Sequence, residues 1–195
     1  MEQLALFPQA GQRKGLPRHL LEYHAGLLDQ DQSNRLLELF IHQTPWKQTT
    51  QKLWDKEYLT PRLTCWYGDT ERIPGTLPWI PELQAIREKV QDLAGITFNS
   101  VLLNYYRDGN DSVAWHSDKE SIMGSQPVIA SVSFGQVRSF DIQSKTDHFE
   151  KYSVLLEHGS FLLMKSGLQE HWEHRIAKSP KAMKARINLT FRLVI

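Results

Sequence analysis

The sequence lacks the features that mark membrane and secreted proteins. It contains no apolar run approaching the ~18 residues of a membrane-spanning helix, and its first residues, MEQLALFPQAGQRKG, lack the long hydrophobic stretch of a secretory signal. Cys65 is the only cysteine, so no disulfide can form within the chain. We therefore expect no membrane segment and no export, and a protein of the cytoplasm or nucleus.

The chain also lacks a strong net charge, internal repeats and low-complexity tracts. Its 23 Lys and Arg residues nearly balance 22 Asp and Glu residues, and a formal net charge of +1 neither indicates nor excludes a polyanionic partner. The distribution is more informative, because the chain from Lys165 onward has seven basic residues and two acidic ones. This predicts either a basic surface near the C-terminal strands or a solvated loop such as AKSPKAMKAR.

The length predicts one domain. With 195 residues and 41% hydrophobic content, the chain can bury one core but is short for two full domains. Residues 1–18 contain two prolines and two glycines and are typical of an extended arm. We predict a single domain over residues 19–195.

Two segments in the first half predict helices. In DQDQSNRLLELFIHQ, apolar residues recur at helical spacing after polar capping residues. After Trp79, Pro81 suits the first helical position, and an apolar stripe runs from Leu83 to Leu93 before Gly95. We interpret both stripes as packing surfaces.

From residue 98 the sequence changes to short strand-like runs separated by Gly, Asp and Pro. They are FNSVLLNYY, PVIASVSF, RSFDIQ, KYSVLLE, GSFLLM and RINLTFRLVI. Several strands in under 100 residues, preceded by helices, predict an α+β fold: a double-stranded β-helix, or jelly roll, supported by N-terminal helices.

Histidines and an aspartate suggest a metal site. His116 and Asp118 are two residues apart, and on a strand such residues project to the same side. A second histidine must come from elsewhere, and the residues alone leave His171 and His174 open, although on an extended segment only one of them faces inward. Two histidines and one carboxylate bind iron(II) and leave positions open. An isolated H-x-D pair is also common on surfaces, and the remaining histidines suit surface or packing positions.

The C-terminal run alternates polar and apolar residues. The polar positions Arg186, Asn188, Thr190 and Arg192 fall on one face, opposite Ile187, Leu189, Phe191 and Leu193. Planar guanidinium groups suit a carboxylate, so this face predicts a dicarboxylate site. The alternative is a half-exposed strand whose polar residues face water. Asn104 and Tyr106 share a face of the NYY strand and either bond the same carboxylates or are buried polar residues with other partners.

The ordered set NYYRDGNDSVAWHSDKE, PVIASVSFG, GSFLLM, HWEHR and ARINLTFRLVI resembles the AlkB family of nucleic-acid dealkylating dioxygenases, over about residues 45–195. TPWKQ and PRLTCWYGD resemble the animal homologues, especially those associated with single-stranded substrates. The resemblance implies an Fe(II)- and 2-oxoglutarate-dependent enzyme that uses O2 to demethylate N-alkylated bases in DNA or RNA and releases formaldehyde.

The resemblance also implies residue roles. His116, Asp118 and His174 would be the catalytic metal ligands, with His174 chosen because it stands in the W-x-H-R context. Arg186 would engage the distal carboxylate of 2-oxoglutarate and Arg192 the 2-oxoacid end. The same motifs imply that Asn104, Tyr106 and Asn188 assist this binding and that Glu120 approaches the amine of the damaged base.

The substrate side of the resemblance is less complete. Trp66, Tyr67, Trp115 and Trp54 are candidates for stacking on a base, and Trp54 is either a wedge that enters the duplex or a residue packed on its own protein. Relatives carry an aromatic pair after the Tyr67-Gly68-Asp69 position, but TERIPGTLPW is short and lacks it. This leaves two alternatives open: a dioxygenase of a protein side chain or small metabolite, and a non-catalytic jelly-roll binding module.

Overall fold

The computed structural model describes residues 19–53, 56–118, 121–124 and 127–195. The predicted arm, residues 1–18, lies outside this part of the chain. No helix among the described residues is long and apolar enough to cross a membrane.

Both predicted long helices are confirmed. Helix α1 spans Gln30–Gln43 and begins at Asp29, whose side chain accepts a hydrogen bond from the Gln32 backbone N–H at 2.8 Å. Helix α2 spans Pro81–Ala94 and ends at Gly95, whose φ of 67° is the left-handed conformation that favours glycine. A single-turn helix, α3, spans Leu168–His171.

The described residues contain twelve strands: β1 Leu21–His24, β2 Thr50–Leu53, β3 Lys56–Leu59, β4 Leu63–Gly68, β5 Ser100–Tyr106, β6 Val113–His116, β7 Ile129–Gly135, β8 Arg138–Ser144, β9 Lys151–Leu156, β10 Ser160–Met164, β11 Trp172–Ile176 and β12 Arg186–Arg192. All six predicted strand runs form strands. Strands β1 and β4 were not predicted, because β1 has only four residues and the apolar residues of β4 do not alternate with polar ones.

The strands form two main sheets, which confirms the predicted jelly roll. The major sheet has the order β1-β10-β7-β12-β5-β4, the minor sheet has the order β6-β11-β8-β9, and β2 and β3 form a separate hairpin. The pairings within these sheets are antiparallel. Residues of both main sheets line one shared cavity.

The alternation of β12 divides the interior into two layers. Ile187, Leu189 and Phe191 belong to a core cluster that also contains residues of helices α1 and α2. The intervening polar residues of β12 line the cavity instead. The helices therefore cover one face of the major sheet, as predicted, and leave the other face to the site.

Two loops at one end of the molecule pack closely together. A Cβ on Gly109, in the β5–β6 loop, would lie 2.7 Å from the carbonyl oxygen of Ser179 and 2.9 Å from that of Lys181, both in the β11–β12 loop. The Ser179 backbone N–H donates to the Gly109 carbonyl at 2.8 Å. Only a residue without a side chain allows this approach.

Candidate metal and cosubstrate site

Three predicted ligands meet at one end of the shared cavity. His116 ends β6 and is the register partner of His174 on β11, so antiparallel pairing sets the two imidazole rings 4.3 Å apart between centroids. With Asp118, they place one ligand atom each within 4.8 Å of one another. Among the described residues this is the one group of three such side chains that could hold a metal ion.

Asp118 reaches this group by a different route from the predicted one. Strand β6 ends at His116, so Asp118 lies in the following loop and not two positions along a strand. Its backbone N–H donates to Gln169 Oε1 at 2.9 Å, and its Oδ2 accepts from Arg192 Nη2 at 3.0 Å. Contacts from α3 and β12 therefore hold Asp118 beside the histidines, a placement that the sequence analysis had attributed to strand geometry.

His171 and His174 differ because α3 ends between them. His171 is the last residue of α3, and its side chain is 67% exposed, whereas His174 is buried within β11. The prediction that only one of the two faces inward is correct, but its reason was wrong because the segment is not extended throughout. A single helical turn is too short to recognise from apolar spacing.

The protonation states suit metal binding. Burial by itself would raise the pKa of Asp118, but the charge of Arg192 and the hydrogen bond from His116 outweigh it and hold that pKa far below its ordinary value. Burial, with the nearby His116, lowers the pKa of His174 to about 3, so the imidazole is neutral. His116 donates through Nδ1 to the Ala114 carbonyl at 2.9 Å, and its Nε2 lies 3.5 Å from Asp118 Oδ1, so this ring nitrogen points to the ligand group.

Arg186 is a buried guanidinium whose hydrogen-bonding capacity is largely unused. It is 1% exposed, and Nη2 donates to Ser133 Oγ at 3.0 Å. Its Nε and Nη1 are buried and have no hydrogen-bond partner among the described residues. Burial lowers the pKa of Arg186 to about 10, so it remains charged at neutral pH. A charged group left in this state needs an acceptor, and a carboxylate provides two oxygens.

The remaining cosubstrate candidates also line the cavity. Tyr106 lies with its ring 5.0 Å from the Arg186 guanidinium carbon. Asn188 donates to Ser131 Oγ at 2.6 Å and to the Val132 carbonyl at 3.1 Å, so its amide nitrogen holds β12 against β7. Asn104 accepts from Arg62 Nε at 2.9 Å. The water-facing alternative for β12 is wrong, because Arg186, Asn188 and Thr190 are buried.

The aromatic candidates for substrate binding do not lie together. Tyr67 is 4% exposed and belongs to the core beneath the helices, so its ring is on the wrong face of β4 to stack on a base in the cavity. Trp66 is on the other face of β4, the face of its partner Leu102, which lines the cavity. Trp115 lines a separate groove. Trp54 and Glu120 lie outside the described residues.

The structure also shows how the shortened segment after Asp69 is placed. Its Leu77 bonds back to β4, donating to the Trp66 carbonyl at 2.8 Å and accepting from the Gly68 N–H at 2.9 Å. No residue of 69–80 lines the cavity. In the part of the chain that the structure describes, this segment therefore adds no wall to the cavity.

Sequence reasoning missed three residues around the site. Arg62 lines the cavity, Gln169 fixes the backbone of Asp118, and Lys145 Nζ donates to Ser117 Oγ at 2.9 Å and to the Gln169 carbonyl at 2.9 Å. Arg62 stands in the PRLTCWYGD segment that carried the resemblance. The other two offered no signal, because their partners lie about 25 to 50 residues away in sequence.

Comparisons with known proteins agree with this site. The model of the 2OG-Fe(II) oxygenase superfamily matches residues 21–192. The chain is 38% identical over 188 residues to Alpha-ketoglutarate-dependent dioxygenase alkB homolog 3 of Rattus norvegicus, covering 88% of this chain and 63% of that protein. It is 37% identical over 158 residues to DNA oxidative demethylase ALKBH2 of Homo sapiens, covering 74% and 60%. The chain thus spans less than two thirds of the length of these relatives.

A solved structure supports the fold independently. The structure of OsALKBH1 superposes with a TM-score of 0.64 and covers 88% of this chain and 97% of that one. At 16% sequence identity the likeness concerns the fold alone.

Proposed function

This chain belongs to the 2OG-Fe(II) oxygenase superfamily and, within it, to the AlkB family, and from that membership we propose that it oxidatively demethylates N-alkylated bases in DNA or RNA. Such a reaction repairs alkylation damage and releases formaldehyde. We also propose a location in the cytoplasm or nucleus, where such substrates occur.

One observation carries the proposal: a two-histidine, one-carboxylate ligand set shares one cavity of about 250 Å³ with a buried guanidinium, two of whose nitrogens have no acceptor among the described residues. The ligand set suits Fe(II). The unbonded Nε and Nη1 of Arg186 suit the distal carboxylate of 2-oxoglutarate, while Arg192, already bonded to Asp118, is placed at the metal end. His116, Asp118 and His174 would hold the iron, which with 2-oxoglutarate and O2 supplies the oxidation of the N-alkyl group.

The protein residues fix charge and orientation. Asp118 stays ionised because Arg192 lies beside it, and His174 stays neutral because it is buried. Phe140 stacks on His174 with centroids 5.1 Å apart and an interplanar angle of 30°, which restricts rotation of the imidazole. The ligands are therefore oriented before a metal ion binds.

The apolar part of the cavity limits water. Leu102, Phe140, Leu156, Met164 and Ile176 are among the lining residues. Reducing the number of water molecules strengthens the attraction between Arg186 and a carboxylate, because fewer dipoles screen the charges.

The test is a panel of N-methylated oligonucleotides, single and double stranded, incubated with Fe(II), 2-oxoglutarate and ascorbate and analysed by mass. We expect loss of one methyl group with formation of succinate. Succinate without demethylation of any oligonucleotide would favour a protein or small-molecule substrate. No succinate under any condition would favour a binding module without catalysis.

We further propose that single-stranded substrates are repaired faster than duplex. The PRLTCWYG segment resembles that of single-strand relatives, and residues 69–80 supply no side chain to the cavity that would offset the few kcal/mol of unstacking and unpairing. Trp54 is the counter-argument, since a wedge at the β2–β3 hairpin would favour duplex. Initial rates on matched strands decide between them: faster repair of duplex that disappears in Trp54→Ala contradicts the single-strand preference.

A further inference from the structure

A second depression opens beside the cavity, between the β2–β3 hairpin and the edge of the minor sheet. We call it the flanking groove and define it by Tyr58, Leu59, Trp115, Arg175 and Lys178. Arg62, Val113 and Ile176 line both the groove and the cavity. The groove and the cavity therefore adjoin one another.

The groove exposes apolar surface that the fold does not bury. Tyr58 is 52% exposed and Leu59 is 63% exposed, both on the hairpin, and Trp115 faces them from β6. Aromatic rings at a groove wall provide flat surfaces on which bases stack without regard to sequence. Trp115 is adjacent in sequence to the metal-ligand candidate His116, so this surface begins close to the reaction site.

The charge of the groove suits phosphate. Three cationic residues line it, Arg62, Arg175 and Lys178, and no acidic residue does so in the described part of the chain. The acidic groups nearby include Glu57, on the hairpin before Tyr58, Glu173, two positions before Arg175 on β11, and Asp141, which is bonded to Arg175. Asp141 accepts from Arg175 Nε at 3.1 Å and also from the Ser139 and Ser153 hydroxyls, at 2.7 Å and 2.8 Å, so its charge is already partnered.

Trp115 is held in place by this same network. The guanidinium carbon of Arg175 lies 4.4 Å from the Trp115 ring centroid, and Arg175 is fixed by Asp141, its register partner on β8. A ring that is already oriented loses little entropy on stacking against a base. Trp115 on β6, Arg175 on β11 and Asp141 on β8 therefore form one side of the groove with a fixed geometry.

We propose that the flanking groove binds a nucleotide next to the base that enters the cavity, with its base against Trp115 or Tyr58 and its phosphate near Arg175 and Lys178. The inference rests on the proposed function and adds a substrate subsite to it. In this proposal the outward-facing side of β6 and β11 contacts the nucleic acid, while the inward-facing side of the same two β-strands holds His116 and His174. A peptide is the other occupant that an aromatic and basic groove could take.

The experiment compares a methylated trinucleotide with the corresponding methylated mononucleotide. For wild type, kcat/KM should be higher for the trinucleotide. In Trp115→Ala the ratio of the two kcat/KM values should fall about tenfold, which is within the range of one stacking contact. The ratio removes any general loss of activity, because damage to the adjacent His116 would lower both values equally. An unchanged ratio overturns the proposal.

Two further arms sharpen the test. Replacing the flanking bases of the trinucleotide by abasic sites should lower the wild-type ratio to that of Trp115→Ala and should lower the variant no further. Lys178→Gln should raise KM for the trinucleotide, whereas Lys89→Gln, an exposed lysine on α2, is the matched control and should not.

Binding of an unmethylated single strand, measured by fluorescence anisotropy, separates this inference from the proposed function. If wild type demethylates neither substrate, the proposed function fails, and the groove is then judged by binding alone. Weaker binding by Trp115→Ala and Tyr58→Ala supports the subsite. Equal binding by wild type and both variants, or binding of an acidic peptide library in preference to any strand, overturns it.

Discussion

At Arg186 the chain keeps a charged group inside the protein with two nitrogens unbonded among the described residues. A buried charge lowers the free energy of unfolding unless an acceptor compensates for the lost solvation. A bound carboxylate should therefore raise the stability above that of the unliganded protein. The cavity is therefore arranged to bind a dicarboxylate, and this arrangement lowers the stability of the unliganded protein.

Arg186→Met should leave the stability of the unliganded protein unchanged or raise it by up to about 2 kcal/mol, because an apolar side chain removes a desolvated charge. It should also abolish stabilisation by 2-oxoglutarate, which for wild type is about 2.7 kcal/mol at 100 times Kd. Urea unfolding with Mn(II), with and without 2-oxoglutarate, measures both effects. Arg35→Met, at an exposed position of α1, is the control, and full stabilisation of Arg186→Met by 2-oxoglutarate would contradict the assignment.

His174→Ala should lose metal binding and turnover, as should His116→Ala and Asp118→Ala, while His171→Ala should keep most of both. The reason is position: His174 lies in β11 opposite His116, and His171 lies outside on α3. Titration with Fe(II) under anaerobic conditions and succinate formation are the readouts. Metal binding that survives His174→Ala but not His171→Ala would reverse the assignment.

For single residues, the sequence predicted which side chains form the site better than it predicted which way each side chain faces. The alternation of β12 placed Arg186 and Arg192 on one face correctly, because a seven-residue strand has an unambiguous period. Trp66 and Tyr67 are neighbours on β4, and nothing in their own segment tells which faces the core, since helices far along the chain cover one side. Arg186 as a buried residue was also not predictable, because its burial depends on two sheets meeting.

Among the elements, α3 has more influence on the site than its single turn suggests. Gln169 is 1% exposed and accepts from the Asp118 N–H, so this turn sets the position of a loop residue more than 50 positions earlier. Residues that orient a metal ligand typically change metal affinity 10- to 100-fold when removed.

Gln169→Leu should therefore weaken metal binding by about tenfold or more while conserving most of the buried volume. The change leaves the Asp118 N–H without its acceptor, so the loop after β6 loses its fixed position. Metal titration followed by circular dichroism gives affinity and fold together. Glu170→Gln, the exposed neighbour, is the matched control, and an unchanged metal affinity in Gln169→Leu would remove Gln169 from this role.

His158, in the β9–β10 turn, joins β7 to α1 and makes their packing depend on pH. Its Nδ1 accepts from the Gly135 N–H at the end of β7, at 2.8 Å, and its Nε2 lies 3.1 Å from Asn34 Oδ1 on α1. Burial lowers the pKa of His158 below 6.5. The unfolded chain therefore takes up a proton before the folded one does, and stability falls as pH drops through 6.5 toward the folded pKa.

We expect urea midpoints to fall between pH 7.5 and about 5.5, and to fall less in His158→Asn, because Asn keeps an acceptor for the Gly135 N–H but does not titrate. His42→Gln, at an exposed position of α1, should keep the wild-type dependence. Parallel curves for wild type and His158→Asn would show that other groups cause the change.

Element prediction succeeded where the chain has long periodic runs, as in α1, α2 and β12. It failed for β1 and β4. It also treated the segment around His171 as extended, although α3 ends at His171. Those elements are stabilised by partners far away in sequence: β1 pairs with β10, and β4 pairs with β5. Local propensity carries little information about such pairings.

For the whole molecule, a near-zero net charge conceals a separation of charge. The β11–β12 loop exposes Lys178, Lys181 and Lys184 on the same end of the molecule as the flanking groove, which Lys178 also lines. The sequence left two alternatives for these lysines: a basic surface that binds nucleic acid, and a solvated loop. Exposed lysines fit both alternatives, so a measurement of nucleic-acid binding is needed to decide between them.

Lys181→Gln with Lys184→Gln should reduce the slope of log K against log salt by about 0.7 for each phosphate of a single strand that the lysines no longer neutralise. The paired change Lys89→Gln with Lys151→Gln removes two exposed lysines elsewhere and should leave the slope unchanged. Binding of a single-stranded oligonucleotide over a range of salt concentrations measures it. Equal slopes for both double variants would identify the loop as a solvated one.

The close approach at Gly109 sets limits for redesigning the basic loop. Because the carbonyls of Ser179 and Lys181 rest where a side chain would otherwise stand, this stretch is a fixed anchor, and the loop is free to vary only beyond it. An insertion or exchange intended to alter strand preference belongs at residues 182–183, so that the two loops remain joined and the Lys184 N–H keeps its bond to Gln136 Oε1. A graft that also replaces residues 179–181 would remove the contact between the lysine loop and the loop that leads into β6, the strand of His116. Charge added by such a graft would then have no fixed position relative to the substrate.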